Sequence, residues 1–194
     1  MTNNAPAQAA AAAQIAGRLE PAFALMARTH AALQASCAVQ AAAQSADIAA
    51  ARRGPELCAA VWASQLLGEV LALPAPVRDL ALHAIGAGAW RGAGGLVSFS
   101  LIDGPGPKAE LLRIAPGKGA PSHTHGGMEY TLVLTGAFAD ATGRYAAGDI
   151  AVMGPTDAHR PTAEPGAICY ALAVSEAPLK FTGALGVLQK FWKH

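Results

Sequence analysis

The sequence predicts a two-domain chain, a small N-terminal helical bundle over residues 1–86 followed by an antiparallel β-barrel over 87–194. Three observations carry that expectation. Up to residue 86 the chain is dense in Ala, Leu, Gln and Arg, among the strongest helix formers. Beyond it come short apolar runs separated by turn residues at regular spacing, the pattern of a small antiparallel sandwich or barrel. Between the two lies "GAGAWRGAGG", which reads as a flexible glycine-rich boundary.

The helical part divides at its prolines and glycines. "LEPAFALMARTHAALQASCAVQAAAQ" places Leu19, Phe23, Met26, His30, Leu33 and Cys37 at three- and four-residue steps, so they share one face of a long helix. A second helix follows "RRGPELCAAVWASQLLGEVLAL", with Pro55 near its start and Leu57, Val61, Leu66 and Val70 as its apolar positions. The third, "LPAPVRDLALHAIGAG", opens at proline and stops at glycine. The strand candidates are then "LVSFSLI", "AELLRI", "EYTLVLTGAFA", "AAGDIAVM" and "AICYALAV", with "DGPGPK", "APGKGAPS", "DATGRY" and "GPTDAH" as the turns between them.

Composition narrows the classes of function. With 53% hydrophobic residues the chain can bury a substantial core, and a formal net charge of +1 on 14% charged residues offers no electrostatic footprint for nucleic acid or an anionic membrane. The opening "MTNNAPAQAAAAAQIAGRLEP" has neither a basic leader nor a leucine-rich block, and no run reaches the ~18 to 20 apolar residues of a spanning helix. Cys37, Cys58 and Cys169 are odd in number and far apart, which suits a reducing compartment. A cytoplasmic protein is expected, with no direct nucleic acid or membrane partner.

One stretch concentrates chemistry, "HTHGGMEYTLVLTG". In a strand, residues two apart point the same way, so His123 and His125 present two nitrogens to one point. Glu129 has the same parity, although Gly126 and Gly127 interrupt the strand between them. His159 follows the turn "GPTDA" and arrives from a neighbouring strand. Such a mixture of nitrogen and oxygen donors suits Zn²⁺, Fe²⁺, Mn²⁺ or Ni²⁺ and does not choose among them. The plain alternative has His123 and His125 on a surface loop and His159 as a satisfied core histidine.

Gly117, His123, His125, Glu129 and Gly136 reproduce at every spacing the first cupin motif: glycine, five residues, His-x-His, three residues, Glu, six residues, glycine. The second motif is kept in Gly148 and His159, while Gly154 and Thr156 stand where a proline and a glycine are expected. More narrowly, "EYTLVLTGAFADATGRYAAGDIAVM" and "EAPLKFTGALGVLQKFW" resemble the C-terminal cupin-like domain of ChrR-type anti-sigma factors. "LEPAFALMARTHAALQASC" and "LPAPVRDLALHAIG" are similar to that family's N-terminal domain, which clamps an extracytoplasmic-function sigma factor. The resemblance implies one divalent metal per chain on His123, His125, Glu129 and His159, zinc first, with iron, manganese or nickel as alternatives. It also implies a sigma factor as partner, and leaves homodimerisation open.

In the family the N-terminal domain carries zinc on an upstream His and a His-x-x-x-Cys-x-x-Cys run. Here that run reads His30, Gln34, Cys37, and no His precedes His30. Two ligands of four would not supply the folding energy of a closed zinc site, so no N-terminal zinc is expected and His30 and Cys37 are read as packed into the bundle. Arg52 and Arg53 read as a solvated turn, and Trp62, Trp90 and Trp192 as core anchors. Cys169 reads as a small buried hydrophobe, because Ala171 stands where the resemblance expects a second cysteine. Cys58, His83 and His194 read as packing, surface and terminus.

Three functions are compatible with this sequence. The first is a regulator whose helical domain sequesters a sigma factor while the metal-bearing domain responds to an oxidant or ligand. The second is a metal-dependent dioxygenase or isomerase, with Tyr130, Tyr145 and Arg113 as pocket groups but no catalytic motif to name a reaction. The third is a structural metal-binding cupin whose ligands only rivet the barrel.

Overall fold

The structure, a computed structural model, describes residues 5–40 and 59–181. Four helices come first: α1 (Ala5–Ala16), α2 (Pro21–Gln40), α3 (Ala59–Leu71) and α4 (Ala75–Gly86). The strands that follow are β1 (Trp90–Ala93), β2 (Leu96–Ile102), β3 (Lys108–Ile114), β4 (His123–His125), β5 (Glu129–Thr135), β6 (Ala137–Asp140), β7 (Gly143–Ala146), β8 (Ile150–Met153), β9 (Thr162–Ala163), β10 (Cys169–Ser175) and β11 (Leu179–Phe181). They form a six-stranded antiparallel sheet in the order β1-β2-β3-β10-β5-β8, with two smaller sheets, β11-β4 and β7-β6-β9. A helical bundle ahead of a cupin-type antiparallel β-fold is the architecture the sequence predicts, with α1 as a helix beyond the three that the sequence marks out. Its boundary at residues 86 and 87 falls in the turn between α4 and β1.

Strand parity organises the interior. Because successive side chains of a strand point to opposite faces, each long strand serves two environments. On β5, Tyr130, Leu132 and Leu134 point to the helices and pack with Phe23, Met26 and Val70, whereas Val133 points inward to Phe138, Tyr145 and Cys169. On β10 the same alternation sends Tyr170, Leu172 and Val174 outward and Cys169 inward. Both strands are therefore buried along nearly their whole length, which explains why "YTLVL" and "CYALAV" read as continuous apolar runs. The helices and the outer face of the sheet share one continuous core.

Polar bolts add direction to that packing. On α3, Glu69 receives two hydrogen bonds from Arg113, at 2.7 and 3.0 Å, and a third from the Tyr170 hydroxyl at 2.7 Å. Arg113 and Tyr170 are paired neighbours on β3 and β10, so one carboxylate holds two strands to a helix. Burial pushes the Glu69 carboxyl up, but the bonds from Arg113, Tyr170 and Gln65 outweigh it and hold it below the usual carboxylate range. At the sheet edge, the Gln8 side chain accepts from the Ile150 N–H at 2.6 Å and donates to its carbonyl at 3.3 Å. An amide from α1 thereby satisfies backbone that an edge strand leaves open.

Several expectations change. "GAGAWRGAGG" is not a flexible boundary, because β1 lies within it and pairs with β2 from Trp90↔Phe99 to Ala93↔Leu96. Gly94 and Gly95, with φ of 60° and 92°, make the two-residue turn of a tight hairpin, a conformation open mainly to glycine. Trp90 on this edge strand is 43% exposed and is not a core anchor. Leu19 is 93% exposed in the link between α1 and α2, while Phe23 and Met26 of the same predicted stripe are buried. In α3, Leu66 and Val70 are buried as expected. Arg52, Arg53, Pro55, Leu57, Cys58, Trp192 and His194, and the side chains of Cys37, Val61 and Trp62, lie outside the described residues. Among the described residues no helix is long and apolar enough to cross a membrane.

Candidate metal centre

The four residues singled out in the sequence converge inside the barrel. One ligand atom from each of His123, His125, Glu129 and His159 lies within 4.8 Å of the others, and all four residues are buried. His123 and His125 occupy the two ends of β4, held in register by β11 through Phe181↔His123 and Leu179↔His125. Glu129 opens β5 on its inward parity, so the Gly126–Gly127 link turns the chain without spoiling the shared face. A side chain at Gly126 or Gly127 would crowd Ala177 or Glu176. His159 comes from the loop after β8 and is tied to β4 by two backbone bonds, His123 N–H to His159 O at 3.1 Å and His159 N–H to His123 O at 3.0 Å.

The departure in the second motif has a structural replacement. Where a Pro-x-Gly turn is expected, the Asp157 carboxylate accepts from the Gly154 N–H at 2.7 Å and the Asp157 N–H donates to the Gly154 carbonyl at 3.1 Å. An aspartate folding its side chain onto nearby backbone is a standard way to build a turn without proline. His159 is delivered to the same place by different turn chemistry. Of the motif glycines Gly117, Gly136 and Gly148, Gly136 is the most constrained: its φ is 68°, and a Cβ there would lie 2.6 Å from the Ile168 carbonyl.

Around the cluster stand partners that sequence reasoning missed. Asp140 on β6 places Oδ2 2.8 Å from His159 Nδ1. The Pro121 carbonyl accepts from His123 Nδ1 at 2.8 Å. Ser175 and Thr131 donate to the two oxygens of Glu129, at 2.9 and 3.3 Å. Thr131 has the parity of Glu129 and was legible in principle; Asp140, Pro121 and Ser175 are brought in by the fold. On His123 and His159 the Nδ1 partners fix which nitrogen the ring turns inward, and the two Nε2 atoms face each other at 3.0 Å.

The donor set fits a divalent ion. Among the described residues neither buried ring nitrogen of His125 makes a well-formed hydrogen bond, although Glu129 Oε1 lies 3.4 Å from Nε2. A buried imidazole left so is costly unless something else satisfies it, and a metal bound at the cluster would do so. Burial holds His123 below the ordinary imidazole range, toward the neutral form that a metal requires. At His125 burial acts the same way, but the Glu129 carboxylate outweighs it and raises the ring. Glu129 is pushed up by burial, yet His125, Ser175 and His123 hold its carboxyl below the usual range.

Other predicted participants lie elsewhere. Tyr130 points to the helices, its ring edge-on to Phe23 with centroids 5.2 Å apart. Arg113 is on the outer face with Glu69. Tyr145 stacks on Phe138 at 5.1 Å, with its hydroxyl 3.0 Å from that of Thr142. The three side chains proposed as an enzyme pocket are therefore not assembled, and none lines the cavity beside the cluster. In the helical part, the Gln34 amide nitrogen lies 3.3 Å from His30 Nε2, at the position where a zinc site would need a cysteine. Cys169 is buried, and burial pushes its thiol up to about 12.

Comparison with known proteins agrees with this geometry. Residues 84–178 match the ChrR cupin-like domain. Anti-sigma-E factor ChrR of Cereibacter sphaeroides is 41% identical over 122 residues, which cover 62% of this chain and 57% of that protein. The chain thus matches somewhat over half the length of that curated relative. A chain in the crystal structure of Rhodobacter sphaeroides SigE in complex with the anti-sigma ChrR is 33% identical, with a TM-score of 0.58 over 87% of this chain and 96% of that one. Helices, barrel and motif residues together place the protein: the chain belongs to the ChrR family of anti-sigma factors.

Proposed function

We propose that this protein sequesters an extracytoplasmic-function sigma factor through its helical part, and that a divalent metal in the barrel sets how firmly it does so. His123, His125, Glu129 and His159 hold that metal, with zinc as the resident ion. The metal supplies a charged centre open to an oxidant or an exchangeable ligand. The helical part carries no zinc of its own.

The observation that carries this reading is the adjacency of Glu129 and Tyr130 on β5. One faces the metal cluster, and the next residue packs on Phe23 of α2. A change at the cluster that shifts or rotates β5 disturbs the seat of α2 directly, since close-packed interiors are barely compressible and pass strain on to the elements packed against them. The coupling has the form of a two-state element biased from one side by metal and from the other by partner.

The test is a binding titration of the full chain against the sigma factors of its own genome, with and without metal. Reciprocal linkage requires metal removal to change sigma affinity, by about 5- to 150-fold for coupling of the usual size. A chain that binds no sigma factor in either state rules out the regulatory reading.

A further inference from the structure

The metal cluster is not closed off. A cavity of about 300 Å³ lies against it inside the barrel, within the range of small-molecule sites. His123, Glu129 and His159 form part of its wall, whereas His125 does not line it. The remaining wall is mostly apolar, from Leu96, Leu112, Ile114, Phe138 and Leu179. Ala171 and Ala173 of β10 keep the middle open, because larger inward residues on this central strand would fill it.

The polar groups divide between two ends. Glu129 and Thr131 lie on β5, and Arg91 and Ser98 are a paired couple on β1 and β2, with β3 and β10 between. Strand spacing of about 4.8 Å separates β5 from β2 by roughly 14 Å along the sheet. Glu110, on the intervening β3, faces the cavity near Arg91 and feels its charge. Among the described residues no hydrogen bond reaches the Arg91 guanidinium or the Glu110 carboxylate. An oppositely charged couple that lines an apolar cavity with its hydrogen-bonding groups unused among the described residues is a recognition feature that the metal cluster does not use.

Charge decides which end takes what. Three neutral imidazoles and one carboxylate leave a divalent ion with one uncompensated positive charge, which an anionic oxygen neutralises. At the other end Arg91 and Glu110 offset each other, so they suit a neutral group that both donates and accepts. We propose that the cavity is a site for a small monocarboxylic acid of about six to eight carbons, its carboxylate toward the metal cluster and a terminal hydroxyl toward Arg91, Glu110 and Ser98. This rests on the metal reading above.

The experiment is calorimetric titration of the full chain, after elemental analysis has fixed its zinc content, with 6-hydroxyhexanoate, hexanoate and hexane-1,6-diol. One 6-hydroxyhexanoate is expected per zinc-loaded chain, with the diol at least about tenfold weaker for want of the anion. Arg91→Ala brings 6-hydroxyhexanoate and hexanoate within about twofold of each other. Ala171→Leu keeps the zinc and loses the acid. A chain that takes up no zinc overturns the metal reading and this proposal together. A zinc-loaded chain that gives no saturable heat, that binds the diol as tightly as the acid, or that binds the acid undiminished in Ala171→Leu overturns this proposal alone.

Discussion

Asp140 Oδ2 lies 2.8 Å from His159 Nδ1, with the aspartate side chain wholly buried and the histidine nearly so. The same carboxylate accepts, through Oδ1, from the Thr142 N–H at 2.8 Å and its hydroxyl at 2.6 Å. Burial pushes Asp140 up, but the bonds from His159 and Thr142 hold its carboxyl below the usual range, so it stays an acceptor. It fixes His159 with Nε2 turned to the cluster. Asp140→Asn is expected to weaken metal binding about 10- to 100-fold while the fold persists, the usual cost of losing a carboxylate behind a ligand histidine. Competition with a chromophoric chelator measures this directly, and an unchanged affinity would assign Asp140 to the β6–β7 turn alone.

The ligand assignment predicts a sharp contrast within one chain. His123→Ala or His159→Ala removes stoichiometric metal from the full-length protein, because each takes away one of four converging donors. Cys37→Ala leaves metal content unchanged, since Gln34 occupies the place of a ligand beside His30. Elemental analysis of the three variants reads the outcome as atoms per chain. If Cys37→Ala halves the metal, the helical part carries a zinc site after all.

Legibility in the sequence followed the range of the signal. The strands at Leu96–Ile102, Glu129–Thr135 and Cys169–Ser175 and the cluster of His123, His125 and Glu129 were readable because parity and short spacing are local properties. His159 was readable through its motif even though its turn had changed. β1 was hidden because glycine, which makes its hairpin turn possible, is also the mark of a linker. Asp140 sits nineteen residues from His159, and nothing near it in the chain announces the contact. Tyr130 and Arg113 looked like pocket groups until the sheet's parity sent them to the helix side.

The Glu69 bolt gives a stability prediction with a pH signature. Glu69→Gln removes the charge that Arg113 and Tyr170 share and leaves Arg113, only 11% exposed, without its counter-ion. A loss of about 2 kcal/mol at pH 7 is expected in urea unfolding. Because the folded carboxyl is held below its unfolded value of about 4.3, this contribution is complete above that value and fades as pH falls through the folded one. The gap between wild type and Glu69→Gln therefore closes in acid. A gap that persists unchanged at pH 3 would assign the effect to packing instead of charge.

Cys169 sets the limit on thiol-based sensing in the barrel. It is fully buried on the inward face of β10, in a core with Val133, Phe138 and Ala163, and burial pushes its thiol up to about 12. The thiolate is the reactive form, so a native thiol in this setting is inert at neutral pH. In a Cys37→Ser, Cys58→Ser background, iodoacetamide is expected to label native protein at least about 100-fold more slowly than urea-unfolded protein. Labelling limited by global unfolding would exclude Cys169 as the point where an oxidant acts on the native barrel. Rapid native labelling would mean that β10 opens locally, and would make Cys169 a second point of attack.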